Sequence, residues 1–157
     1  MPNVKFSLTV KNNVPENLSS RMENAFLRIM TAGALKTIEL AEEKAPVAKY
    51  GDNRGTLRKS FKKAKITHEG FTVYTDAEFA PYVEFGTGIF STHPAAPRKP
   101  IRPKNAKVLH WVGEHGEDVF AMEVKGQKPQ PFLLPAGNEV IIHIQRLIAE
   151  AIRKYKK

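Results

Sequence analysis

The sequence predicts an α+β fold: a small antiparallel sheet packed by a long helix in the N-terminal half and an amphipathic helix at the C-terminus, with a long Pro-rich loop between them. Three observations predict it. Residues 20–44 and 136–154 carry apolar side chains at helical spacing. Val4, Phe6, Leu8 and Val10 alternate with polar residues, as do Phe71, Val73 and Thr75, which is the period of a strand with one buried face. Pro94, Pro97, Pro100 and Pro103 fall within ten residues, a density that forbids helix and disfavours strand pairing.

The elements follow in chain order. Asn12-Asn13-Val14-Pro15 breaks the first strand. Ser20-Arg21-Met22-Glu23 has the spacing of a capping box, in which the serine hydroxyl accepts from a free amide and the glutamate reaches back. Leu27, Met30, Ala34, Ile38, Ala41 and Ala45 then recur every three or four residues, widened by Met22, Phe26 and Ile29. Pro46 ends this helix, because proline disfavours the helical conformation in the residue before it. Residues 47–56 form a polar, glycine-rich loop. A hairpin of residues 58–67 and 71–76 turns at Glu69-Gly70, with Phe61, Ala64 and Ile66 on its buried side. Phe79 to Phe85 is expected as a further extended segment. Residues 86–103 form the loop or arm, and loops of that length in a compact domain are usually functional or disordered. Lys107–Trp111 and Val119–Val124 read as two short strands around Gly113–Gly116, with Trp111 and Phe120 expected in the core. Val140, Ile141, Ile144, Leu147, Ile148, Ala151, Ile152 and Tyr155 make the stripe of the last helix. No internal repeat is present, and one domain spanning residues 1–157 is expected.

Composition narrows the chemistry. There are no cysteines, which excludes disulfides and thiolate metal sites. The first residues lack the apolar run of a signal peptide, and no segment approaches the roughly 20 apolar residues of a membrane span. The formal charge is +9 and is clustered. Lys44, Lys49, Arg54, Arg58, Lys59, Lys62, Lys63 and Lys65 share their stretch with one acid, Asp52. Arg98, Lys99, Arg102, Lys104 and Lys107 share theirs with none. Such blocks are either a solvated basic surface or an attraction for polyanions, so Arg54, Arg58, Lys59, Lys62, Lys63, Lys65, Arg98, Lys99, Arg102 and Lys104 are candidate contacts for DNA or an acidic partner. One interleaved phenylalanine, Phe61, is too few for a base-stacking platform, which leaves non-specific phosphate attraction.

No catalytic constellation emerges, and no cofactor or metal is expected. The five histidines lack the spacing of a helical zinc motif. Gly86-Thr87-Gly88 is not a phosphate loop, because proline-rich chain and not a helix follows it; its glycines suit a tight turn at positive φ. Glu84 alternates with Val83 in the expected strand, where it would face solvent and pair with a basic group, within the chain or across a subunit contact. A catalytic carboxylate needs a second poised group, and none is evident beyond Asp76 and an unspecified histidine. Phe132, between two prolines, is an anchor either for the chain's own core or for a neighbour.

Four boxes in order carry a resemblance. Lys44-Ala45-Pro46-Val47 ends the leading helix, and Gly55-Thr56-Leu57-Arg58-Lys59-Ser60 follows. Tyr82-Val83-Glu84-Phe85-Gly86-Thr87-Gly88 comes next, and Pro129-Gln130-Pro131-Phe132-Leu133-Leu134-Pro135-Ala136 leads into the final helix. In this order, with Ile101–Leu109 as a loop insert, the chain resembles the tail-completion, or head–tail joining (neck), proteins of long-tailed bacteriophages. It departs from them in the longer loop Ala48–Arg54 and in Val124-Lys125-Gly126, where the family often has His-Pro-Gly. The resemblance implies a non-enzymatic virion component, made in the host cytoplasm, that self-associates into a ring around the DNA channel. Its partners would be other virion proteins: tail terminator or tail tube on one side, head-closure or connector proteins on the other. Tyr82, Glu84, Phe85, Gly86, Thr87, Gly88, Pro94, Pro97 and Phe132 are then the candidate subunit or partner contacts. A basic nucleic-acid-binding module is the alternative.

Overall fold

The computed structural model describes residues 4–9, 19–47, 55–113 and 115–155. The order of elements is β1 (Lys5–Thr9), α1 (Ser20–Lys44), α2 (Thr56–Lys59), β2 (Phe61–Thr67), β3 (Gly70–Thr75), α3 (Ala80–Phe85), β4 (Leu109–Val112), β5 (Asp118–Ala121) and α4 (Leu133–Tyr155). The fold is α+β, with a small antiparallel sheet packed against the two long helices α1 and α4.

The three-stranded sheet runs β1-β3-β2, so the hairpin's second strand is central. Phe6 lies opposite Val73 and Leu8 opposite Phe71, which puts all four on one face; Phe61 lies opposite Thr75 on that same face. All five apolar side chains are buried. β2 is an edge strand, and its register shifts between Ala64 and Thr67 around Lys65, whose φ is 49°. A bulge bearing lysines on an edge strand discourages pairing with a further strand.

α1 matches its expected bounds, but its cap is Ser19, not Ser20: the Ser19 hydroxyl accepts from the Met22 amide at 3.4 Å. Glu23 is thereby released from the expected capping box, and its carboxylate lies 3.3 Å from His68 Nδ1. The buried stripe is Met22, Phe26, Met30, Gly33, Ala34, Thr37, Leu40 and Ala41, one position round from the expected line, so Leu27 is exposed. α4 begins three residues earlier than its pattern suggests and buries Leu133, Ala136, Gly137, Val140, Ile144 and Ile148. The two helices touch closely because Gly33 has no side chain. A Cβ there would sit 2.4 Å from Ile144 Cδ1 and 3.1 Å from the Phe71 ring, so helix, helix and sheet meet at this point. Lys44 and Glu139 bridge the same two helices at 3.1 Å.

Three expectations are corrected. Phe79–Phe85 is not extended: Pro81 near the start of α3 suits a first helical turn, and residues 80–85 are helical. Trp111 and Phe120 are not in the core. They lie on the β4–β5 ribbon and are 41% and 62% exposed, because both long helices spend their apolar stripes on the three-stranded sheet. Phe132, by contrast, is wholly buried in its own chain, with its ring centroid 5.6 Å from that of Phe61. Truncation of Phe132 to alanine should therefore lower unfolding stability by about 3–5 kcal/mol, read as a fall in the denaturant midpoint at unchanged slope. An unchanged midpoint would show that Phe132 does not anchor this core.

Candidate functional site

The two sequence boxes most distant from ordinary core pattern, residues 82–88 and 129–136, form one structural unit. Glu84 is 2% exposed. Its Oε2 accepts from the Phe132 amide at 2.9 Å and the Leu133 amide at 3.0 Å, and its Oε1 accepts from the Leu134 amide at 3.1 Å. These are the free donors at the start of α4, where the helix dipole also favours a negative group. Pro135 follows with no amide to satisfy. Glu84 is thus a capping carboxylate supplied from 48 residues away. Helical backbone at 80–85 points it inward, whereas the strand expected there would have pointed it at solvent.

Further bonds bind the two boxes together. The Gln130 amide donates to Val83 O at 2.8 Å. The Thr87 amide donates to Gln127 O at 2.8 Å, and the Gln127 amide returns to Thr87 Oγ1 at 2.9 Å. Ile89 N donates to Lys125 O at 2.9 Å. Gly86, at φ 70°, lies so close to this strand of chain that a Cβ would stand 2.7 Å from Gln127 O. Glycine is required there on both conformational and steric grounds.

The Pro-rich segment leaves from this junction but does not run free. Thr92 N donates to Phe85 O at 2.8 Å, His93 packs edge-on against the Phe85 ring, and Arg98 Nε donates to Ser91 O at 3.0 Å. Ile101 pairs with Val124 as an isolated antiparallel bridge. Of the loop or extended arm expected from the sequence, the segment is the loop, tied at both ends, with Pro94 and Pro97 exposed between the ties.

Beyond it stands the β4–β5 ribbon. Leu109 lies opposite Ala121 and Trp111 opposite Val119 on one face; Leu109, His110 and Trp111 of β4 line a shallow cleft of about 410 Å³ together with Ile101 and Val124. His110 lies opposite Phe120 and Val112 opposite Asp118 on the other face. That second face is open: Val112 and Phe120 are 65% and 62% exposed, and Met122, just past β5, is 72% exposed. The His110 ring stacks on Phe120, and its Nε2 lies 2.7 Å from Asp118 Oδ1. A two-stranded ribbon with both faces lightly covered is marginal by itself, and clustered exposed apolar side chains mark an interaction surface.

Of the candidate contacts, Tyr82, Pro94 and Pro97 are exposed, and Phe85, Thr87 and Gly88 are half-buried. Glu84, Gly86 and Phe132 are buried within the chain and cannot face a neighbour; their roles are capping, turning and packing. Several basic candidates are engaged. Arg58 Nε donates to Ala45 O at 2.9 Å and closes the end of α1. Lys62 pairs with Asp76, whose hydrogen bond and charge raise the lysine pKa above its ordinary value. Arg102 pairs with Glu123 at 2.8 Å. Lys59, Lys63, Lys65, Lys99 and Lys104 are exposed, and Arg54 lies outside the described residues. The exposed ribbon face, which proves to be the strongest candidate surface, was missed in the sequence; the alternation of residues 108–124 was visible, but not which sheet the helices would cover.

No family model, curated protein or solved structure matches the chain. Among the described residues, no helix is long and apolar enough to cross a membrane.

Replacing Glu84 with glutamine leaves one acceptor oxygen and aims an amide N–H₂ at backbone donors, so stability should fall by about 2–3 kcal/mol. Alanine should cost at least as much. Chemical denaturation measures both, and a glutamine variant as stable as the parent would show that the carboxylate is not the cap of α4.

Proposed function

We propose that this chain is a structural component of the bacteriophage head–tail junction, assembling by protein–protein contacts into a ring around the DNA channel. The observation that carries the reading is the open face of the β4–β5 ribbon, where Val112, Phe120 and Met122 stand outside the core on a segment the helices do not cover. Apolar groups so placed gain stabilisation by burial against another molecule. The four motif boxes supply the phage setting. Two of them, joined through Glu84, are the scaffold from which the Pro-rich segment and ribbon project. In this reading Tyr82, Pro94 and Pro97 add contact area beside the ribbon, and a rigid, proline-rich segment loses little entropy when it docks. Closure into a ring requires a heterologous interface, one surface of each copy on a different surface of the next.

The decisive experiment is assembly without the chain. Particles produced in its absence should accumulate as separate filled heads and finished tails in electron micrographs, and the chain should be found in purified virions. Joined, infectious particles made without it would remove the proposal.

A second reading has its own observation. Lys59, Lys63 and Lys65 are exposed along one short stretch of α2 and β2, and none has an acidic partner among the described residues. These lysines would contact phosphate without reading bases. Duplex DNA should then bind with a steep salt dependence, and each lysine changed to glutamine should lower the slope of log K against log salt by about 0.9. A slope unaltered in the triple variant would exclude these lysines from any DNA contact.

A further inference from the structure

The ribbon has a complement on the same chain. Residues 108–124 contain Glu114, Glu117, Asp118 and Glu123 and no lysine or arginine, within a chain of formal charge +9. Glu123 is neutralised by Arg102, but Glu117 and Asp118 are exposed beside the open apolar face. Asp118 has only the His110 imidazole as partner among the described residues, and the Glu117 carboxylate accepts only the His115 amide there. The ribbon therefore presents apolar groups flanked by negative charge.

The opposite pattern lies between the start of α1 and the end of α4. A groove of about 500 Å³ is floored by Ile29, Leu147 and Tyr155 and rimmed by Arg21, Arg28 and Lys154. Among the described residues none of these three cations has a salt-bridge partner; Glu150, the one acid in the groove wall, is held by Arg146 at 3.2 Å. Leu147 and Tyr155 are 43% and 37% exposed, so the floor is an open apolar surface. Here apolar groups are flanked by positive charge.

We infer that the β4–β5 ribbon of one copy seats on the α1–α4 groove of the next, with Val112, Phe120 and Met122 against Ile29, Leu147 and Tyr155, and Glu117 and Asp118 facing Arg21, Arg28 and Lys154. The contact joins two different surfaces, so it is heterologous and repeats from copy to copy. Charge complementarity sets its orientation and rejects groove-to-groove pairing, where like charges would meet. It rests on the self-assembly in the reading above, not on the phage setting.

A charge exchange tests it, followed by sedimentation of the full chain over a range of concentration and salt. One variant carries Glu117→Lys and Asp118→Lys; the other carries Arg21→Glu and Arg28→Glu. All four side chains are exposed, so both variants should keep the parent's circular dichroism spectrum. The parent should self-associate as concentration rises, less so in high salt. Each variant alone should associate at least about tenfold more weakly. An equimolar mixture should recover association, because each variant then finds opposite charge on the other. Should a variant lose the parent's spectrum, Phe120→Gln probes the same contact through its apolar half, and unchanged association there overturns it. A parent that stays monomeric at every concentration overturns the contact, even if virions are shown to need the chain. Loss in both variants without recovery on mixing also overturns it. If the Arg21/Arg28 variant loses affinity for a duplex DNA oligonucleotide while self-association is intact, the groove belongs to a phosphate backbone, and the ribbon contact fails.

Discussion

One buried carboxylate decides how the two halves of this chain meet. The amides of Phe132 and Leu133 at the start of α4 are buried, and Glu84 on α3 is their acceptor. Unpaired, those donors would carry the full cost of their lost hydration. Glu84 satisfies them and the Leu134 amide with two oxygens, and in doing so sets where α3 lies against α4. The register of everything between them follows. Gly86 turns the chain on contact with Gln127 and Pro129, Thr87 and Ile89 pair with residues 125–127, and the Pro-rich segment leaves from a fixed origin. Both oxygens of this carboxylate are engaged in holding backbone.

The distribution of apolar surface divides the molecule into a settled part and an unsettled part. Around the three-stranded sheet, Phe6, Phe26, Met30, Phe71, Val73, Phe132, Leu133 and Ile144 are all buried, and Gly33 lets α4 close upon α1. The buried stripes of both helices lie on this sheet and on each other. The β4–β5 ribbon is consequently left with β4 along a shallow cleft and one face in solvent. Burial of apolar area is the main favourable term in association as in folding. A ribbon that holds its shape through Glu84 and its neighbours, yet keeps Phe120 and Met122 outside, is suited to contribute that term to an assembly.

Charge follows the same division. Arg58, Lys62 and Arg102, which look like free cations in the sequence, are engaged with Ala45 O, Asp76 and Glu123. The exposed lysines of β2 lie along a sheet edge, where they also discourage strand addition. The ribbon segment 108–124 is locally negative in a chain that is positive as a whole, so the molecule carries surfaces of opposite sign.

The sequence by itself determined the two long helices, the hairpin, the α+β class and the proline-rich interruption. Each rests on local rules: apolar period, capping hydroxyls, and the conformational limits of proline and glycine. Even the error at the α1 cap was a single residue, because Ser19 and Ser20 offer the same hydroxyl. Tertiary structure alone decided the rest. Residues 79–85 read as an extended segment, yet residues 80–85 are helical where Glu84 reaches the amides of α4, and no local pattern encodes a partner 48 residues away. Trp111 and Phe120 look like core by composition but are exposed, because which of two sheets the helices cover depends on the whole packing arrangement. Burial and partner choice are properties of the assembled chain, since they depend on which surfaces meet once the period-governed elements have formed.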